Sequence, residues 1–225
     1  GVECLVRWEN EAMGGMVPPD QFIPVAEQAG LMPDIGSFIL QRSLSELSEL
    51  QKNMDLAFSV SINISVRQFL HEGFLPALLL EIKRSGMNHV LIVLEITESI
   101  FIEDMQQIIQ LISAIHEKGI RISMDDFGTG YSSLSLLHKL PVDELKIDKS
   151  FVDHILDDAS ARQMVQSIIA IGKNQGMTLL AEGVENEQQA QLLRESGCDS
   201  FQGYYFSRPL MIDDLKDYLQ DKVVS

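Results

Sequence analysis

Five oxygen-bearing side chains, Glu3, Asn63, Glu95, Asp125 and Asp126, fall in or directly beside short apolar runs rich in β-formers. A strand that carries such a residue near its end delivers it to one edge of a sheet, beside its counterparts from neighbouring strands. Carboxylates gathered in this way repel one another and resist ionisation unless a cation sits among them. Hard oxygen donors without His or Cys favour Mg²⁺ or Mn²⁺ over zinc. The adjacent pair Asp125 and Asp126 could address two ions, one of them shared. A single acid in such a place usually caps a helix or faces water. A whole set at strand ends is better read as a metal site.

Lys146 stands between apolar neighbours in Leu145-Lys146-Ile147-Asp148, an unusual setting for a lysine. Its side chain either pairs with a core acid, holds a water and a phosphate oxygen, or acts as a Schiff-base amine. Glu182, at the end of another run, is placed to accept a proton from a water held beside a cation. Glu185, three residues on, either joins it or caps the helix that starts near Asn186. Gln202 opens the aromatic run Gln202–Pro209, which reads as a base-stacking face or as an apolar plug. The segment Asp126–Ser133 contains two glycines and two serines and reads as a turn with a helix cap, because the P-loop pattern GxxxxGK[ST] is absent. The five histidines show no ligand spacing and receive no catalytic role.

These residues need a scaffold that brings strand ends together. Strand candidates are Val2–Trp8, Leu56–Ile64, Val90–Ile96, Ile120–Asp125, Glu144–Ile147, Met177–Ala181 and Asp199–Phe201. Helical spacing runs through Ile35–Leu50, Phe74–Ser85, Met105–Lys118, Ala161–Gln175 and Glu187–Ser196. Gly86, Gly119, Gly176 and Gly197 each stand between a helix and a strand, where a C-cap needs positive φ. This alternation indicates a parallel α/β architecture. An open nucleotide-binding sheet usually carries GxGxxG after its first strand, and that is absent. A polar residue at nearly every strand end favours a TIM-type (β/α) barrel, whose active sites lie at the C-terminal mouth. Seven candidate strands against the usual eight suggest that a first, N-terminal strand lies upstream.

The chain has 225 residues and a formal charge of −16, from 17 Lys and Arg against 33 Asp and Glu. Binding of a DNA or RNA duplex is not expected, because it depends on neutralising phosphates with basic side chains. A phosphate ester would need positive charge from bound metal ions. Cys4 and Cys198 are too few for a disulfide framework or a CxxC zinc site. With no signal peptide and no apolar run of about 18 residues or more, a cytoplasmic domain is expected, although a full-length parent could be membrane-attached. One domain over residues 1–225 is expected.

The runs Glu3–Trp8, Phe22–Glu27, SINISVRQF from Ser61, LEITES from Leu94, DDFGTGYSSL from Asp125, LKIDKSFV from Leu145, AEGVE from Ala181 and QGYYFSRPL from Gln202 resemble EAL domains, in order and over nearly the whole chain. The resemblance implies a modified α/β barrel that hydrolyses cyclic di-GMP to linear pGpG with two Mg²⁺ or Mn²⁺ ions. It assigns Glu3, Asn63, Glu95 and Asp125 to the first metal, and Asp125 with Asp126 to the second. Lys146 corresponds to the residue that orients the attacking water, Glu182 to the general base, Gln202 to a water-positioning residue, and Glu98 to the acid that holds the DDFGTGYSS loop. Cys4, Leu5, Arg7, Asn63, Lys146, Glu182, Gly183, Val184, Glu185 and Tyr204 fall where family members touch the substrate. The resemblance also supports a homodimer through the loop Asp126–Ser133 and helix Leu134–Leu140, and an upstream sensory or signalling domain. Cys4 departs from the alanine of the name-giving motif. A relative that binds cyclic di-GMP without cleaving it, and an aldolase-type barrel using Lys146, are the competing readings.

Overall fold

Gly86, Gly119, Gly176 and Gly197 take φ values of 67°, 77°, 75° and 97°, the left-handed turns expected where helices give way to strands. The computed structural model describes residues 1–128 and 137–224. Phe74–Ser85 and Glu144–Ile147 have the bounds expected from the sequence, and most other elements shift by a few residues at their ends. The candidate strand Val2–Trp8 is the exception. It splits into β1 (Val2–Cys4) and β2 (Trp8–Asn10). The reason lies downstream: Gly14 and Gly15 reverse the chain, so β2 pairs antiparallel with β3 (Gly15–Val17), Trp8 opposite Val17. The chain divides into two compact units.

The first unit holds Gly1–Leu94 with Glu117–Ile120. Here β1 runs parallel to β4 (Val60–Asn63), with Glu3 opposite Ser61. Between them lie the β2–β3 hairpin and two helices, α1 (Pro19–Gln28) and α2 (Met32–Met54). Leu40, Leu44, Leu47 and Leu50, spaced by three or four residues, form the buried stripe of α2. A short helix, α3 (Val66–Phe69), is capped by the Ser65 hydroxyl, which accepts from the Gln68 N–H. The next helix, α4 (Phe74–Ser85), packs on α2, and the Ser48 hydroxyl donates to the Ser85 carbonyl at 2.9 Å. Strand β5 (Ile92–Thr97) passes into the second unit after Leu94.

The second unit, Glu95–His116 and the described residues from Arg121 onward, carries the strand ends of greatest interest. Strands β6 (Arg121–Phe127), β7 (Glu144–Ile147), β8 (Thr178–Ala181) and β9 (Ser200–Phe201) are parallel neighbours in chain order. Helices α5 (Met105–His116), α6 (Lys149–Asp153), α7 (Ala159–Asn174) and α8 (Glu187–Glu195) alternate with the strands, and α9 (Ile212–Val224) follows. Leu145 and Ile147 on β7, with Ile108, Ile112 and Ile115 on α5, are wholly buried. A strand buried on both faces reads as a continuous apolar run, and Lys146 interrupts one. Both cysteines are free thiols, and burial pushes that of Cys198 up to about 11. No helix among the described residues is long and apolar enough to cross a membrane. The segment behind the dimer expectation falls largely on residues 129–136, outside the described residues.

Truncating Leu44 in the middle of α2 removes a side chain with no solvent exposure. Leu44→Ala is expected to lower the unfolding free energy by about 2–5 kcal/mol. Phe38→Ala on the same helix, at an exposed position, should change it by about 0.5 kcal/mol or less. Urea unfolding of the two variants checks the difference.

Candidate active site

A bulge in β6 sets the geometry of the acids. Met124 pairs with Leu145 and Phe127 with Ile147, so three steps along β6 match two along β7. In a regular strand, residues 125 and 126 would point to opposite faces. The extra residue re-aims the chain, with Asp126 at φ 56°, a conformation that Asp tolerates better than most residues. Its N–H donates to Asp125 Oδ1 at 2.9 Å. One carboxylate oxygen from each of Asp125, Asp126 and Glu182 then lies within 4.8 Å of the others.

Lys146 occupies the centre of this group with no solvent exposure. Its Nζ lies 2.8 Å from Glu95 Oε2, 2.7 Å from Glu182 Oε1 and 3.3 Å from Asp125 Oδ1. An ammonium has three N–H donors, and three carboxylates surround this one. Commitment of the nitrogen to three acids suits a holding role rather than that of a free amine nucleophile. Glu95 is buried and projects from β5, while Glu182 directly follows β8. Among the described residues, the strand-end cluster thus brings Glu95, Asp125 and Glu182 to the Lys146 ammonium, with Asp126 beside Asp125 and Glu182. Carboxylate oxygens gathered this closely suit a cation, and the all-oxygen donor set fits a hard divalent metal.

The loop after β8 is fixed by backbone bonds. Glu182 N–H donates to the Ile147 carbonyl at 3.0 Å, and Val184 N–H to the Gln202 carbonyl at 2.9 Å. Gln202 N–H reaches the Ala181 carbonyl at 2.8 Å, and Tyr205 N–H the Val184 carbonyl at 3.0 Å. This stitching runs so close that a Cβ on Gly203 would lie 2.2 Å from the Val184 carbonyl oxygen. Gly183, at φ 68°, rests against the stem of Lys149. Glu185 does not cap the helix: Asn186 does, accepting from the Gln189 N–H. Instead, Lys149 Nζ donates to Glu185 Oε1 at 2.6 Å and to Asp153 Oδ1 at 2.9 Å. Those bonds, Glu185 first, hold the Lys149 ammonium above the ordinary lysine value.

Glu98, just after β5, is buried, and its Oε2 accepts from the Gly128 N–H at 3.1 Å. Its Oε1 is also buried and has no hydrogen-bond partner among the described residues. In the first unit, Asn63 Nδ2 donates to Glu3 Oε1 at 2.8 Å, so these two expected ligands meet each other. Cys4 is half-buried and Leu5 exposed. Arg7 donates to the Val6 carbonyl at 2.9 Å. The exposed Tyr204 ring lies under the Arg208 guanidinium at 4.6 Å. Sequence reasoning missed Lys149. Its partners, Gly183 and Glu185, lie far along the chain, the latter 36 residues away, so no local pattern marked it.

The family model for the EAL domain matches residues 1–209. Signaling protein YkoW of Bacillus subtilis is 39% identical over 219 residues, 97% of this chain and 27% of that protein. The bifunctional diguanylate cyclase/cyclic di-GMP phosphodiesterase MucR of Pseudomonas aeruginosa is 35% identical over 96% of this chain and 31% of its own length. The chain thus spans about a third or less of these multidomain relatives. A solved structure described as the PaMucR phosphodiesterase in complex with c-di-GMP has a TM-score of 0.90 at 35% identity. It covers 96% of this chain and 87% of that one. The likeness bears out the TIM-type α/β class expected from the sequence.

Replacing Lys146 by Ala would leave the 2% exposed Glu95 without its ammonium. Removing one partner of a buried ion pair costs about 3–5 kcal/mol. Lys146→Ala is therefore expected to unfold at markedly lower urea concentration, while Lys139→Ala, outside the cluster, should match the parent.

Proposed function

The chain belongs to the EAL domain family, and from that premise we propose that it hydrolyses cyclic di-GMP to linear pGpG with Mg²⁺ or Mn²⁺. The observation that carries this reading is the convergence of Asp125, Asp126 and Glu182 within 4.8 Å, beside a fully buried Lys146. A relative and a solved structure named for cyclic di-GMP phosphodiesterase chemistry support the choice of substrate.

Asp125 and Asp126 would hold the metals with Glu95, and the family resemblance adds Glu3 and Asn63 to the ligand set. When bound, divalent cations make water a stronger nucleophile at neutral pH and neutralise charge on the phosphoryl oxygens. They also offset the repulsion between a chain of charge −16 and a dianionic substrate. The remaining work falls to side chains. Lys146 donates to Glu182 Oε1 at 2.7 Å and so fixes the carboxylate's orientation. Glu182 takes the proton of the attacking water as the water oxygen bonds to phosphorus, and the ring P–O bond breaks with the departing sugar oxygen taking a proton from solvent. Gln202, with its backbone bonded to Ala181 and Val184, positions that water. Glu98, bonded to the Gly128 N–H, steadies the chain just after Asp125 and Asp126.

Two outcomes are expected when product is followed by chromatography. Excess chelator abolishes cleavage, and Mg²⁺ or Mn²⁺ restores it; full activity in chelator would sink the reading. Glu182→Gln keeps cyclic di-GMP binding but lowers turnover by about 10²-fold or more. Binding of cyclic di-GMP by the parent protein without any cleavage would identify a sensor instead of an enzyme.

A further inference from the structure

The Glu182–Glu185 loop is tied on one side by the Val184 bonds to Gln202 and Tyr205. A side chain from a different element also meets it. Lys149, the first residue of α6, contacts the loop in two ways. Its ammonium donates to Glu185 Oε1 at 2.6 Å while also holding Asp153 at 2.9 Å, one turn along its own helix. Its stem lies against Gly183, where a Cβ would stand 2.3 Å from Lys149 Cγ. Gly183 therefore leaves the space that the lysine stem fills. Because the ammonium is held above the ordinary lysine value of 10.5, the charge persists throughout the neutral range. That charge is lost only as pH rises into the alkaline range above that value.

The strands on either side explain what the contact does. Helix α6 follows β7, which carries Lys146, and the loop follows β8, which presents Glu182. Lys146 Nζ and Glu182 Oε1 are 2.7 Å apart, so the spacing of those two strand ends fixes a hydrogen bond. We propose that Lys149 is a positioning residue: with Glu185 it clasps the loop after β8 to the helix after β7, and so holds Glu182 in register with Lys146. On this account Glu185 acts through Lys149 and not by touching substrate. The proposal deepens the phosphodiesterase reading and rests on it for its kinetic consequence, but the clasp itself can be tested without turnover.

Three variants separate the parts of the contact: Lys149→Met keeps the stem and removes the charge, Lys149→Arg keeps both, and Glu185→Gln removes the partner. Both residues of the ion pair are about half exposed, so the effect of losing it is modest, about fivefold. Exchange of the Val184 amide, measured by hydrogen–deuterium exchange, is expected to quicken about fivefold in Lys149→Met and Glu185→Gln and to return to the parent rate in Lys149→Arg. In the hydrolysis assay kcat should fall by about the same factor in the first two, with KM changed by less than about twofold. The double variant should be no worse than either single one, as for two residues acting as a unit. Unchanged Val184 exchange would overturn the clasp, whatever the enzyme does. A KM rise in Glu185→Gln with no change in Lys149→Met would overturn it too, by placing Glu185 on the substrate. Quickened exchange in the two variants of a parent protein that itself cleaves no cyclic di-GMP would keep the clasp and sink the phosphodiesterase reading alone.

Discussion

A single buried ammonium ties the second unit's active-site strand ends together. Lys146 meets Glu95 from β5, Asp125 from β6 and Glu182 from the end of β8, and it has no solvent exposure. Desolvating that many charges is costly, so the arrangement persists only because each donor finds an acceptor. Beside the ammonium, Asp125, Asp126 and Glu182 bring carboxylate oxygens within 4.8 Å of one another, a donor set that suits a hard cation.

Backbone geometry supplies the aim that the charges need. The bulge between Met124 and Phe127 lets consecutive aspartates serve one site, with an unusual φ at Asp126. Across the sheet, Gly203 lets the segment after β9 lie against the Val184 backbone, and those bonds hold the loop that starts at Glu182. Strained or glycine-dependent backbone gathers where functional side chains must be held in unusual directions. Here both features lie within a few residues of the acids. Lys149 and Glu185 add a weaker, solvent-exposed link to that loop.

Much of this was legible in the sequence, for identifiable reasons. The apolar neighbours of Lys146 set it apart as an unusual lysine, with pairing to a core acid among its readings, and it lies buried against Glu95. Helical spacing and a following glycine gave Phe74–Ser85 its bounds. What local patterns could not give were features that depend on distant chain. Strict alternation sends Asp125 and Asp126 to opposite faces, because a bulge is a property of the pairing with β7. Trp8 read as the end of a first strand because the Gly14–Gly15 reversal acts later in the chain. Glu185 stayed open between joining Glu182 and capping the helix, because its partner, Lys149, lies 36 residues away. The role of Glu98 came from family resemblance alone, since nothing in its neighbourhood distinguishes it, although its bond to Gly128 agrees with that role.

The central claim is that the acids around Lys146 form a divalent cation site, and calorimetric titration with Mn²⁺ in the absence of substrate tests it most directly. The account predicts saturable binding by the parent protein and its loss in Asp125→Asn, a change that keeps the side chain's shape and removes one charge. Equal Mn²⁺ binding by the two proteins, or none by the parent, would contradict it.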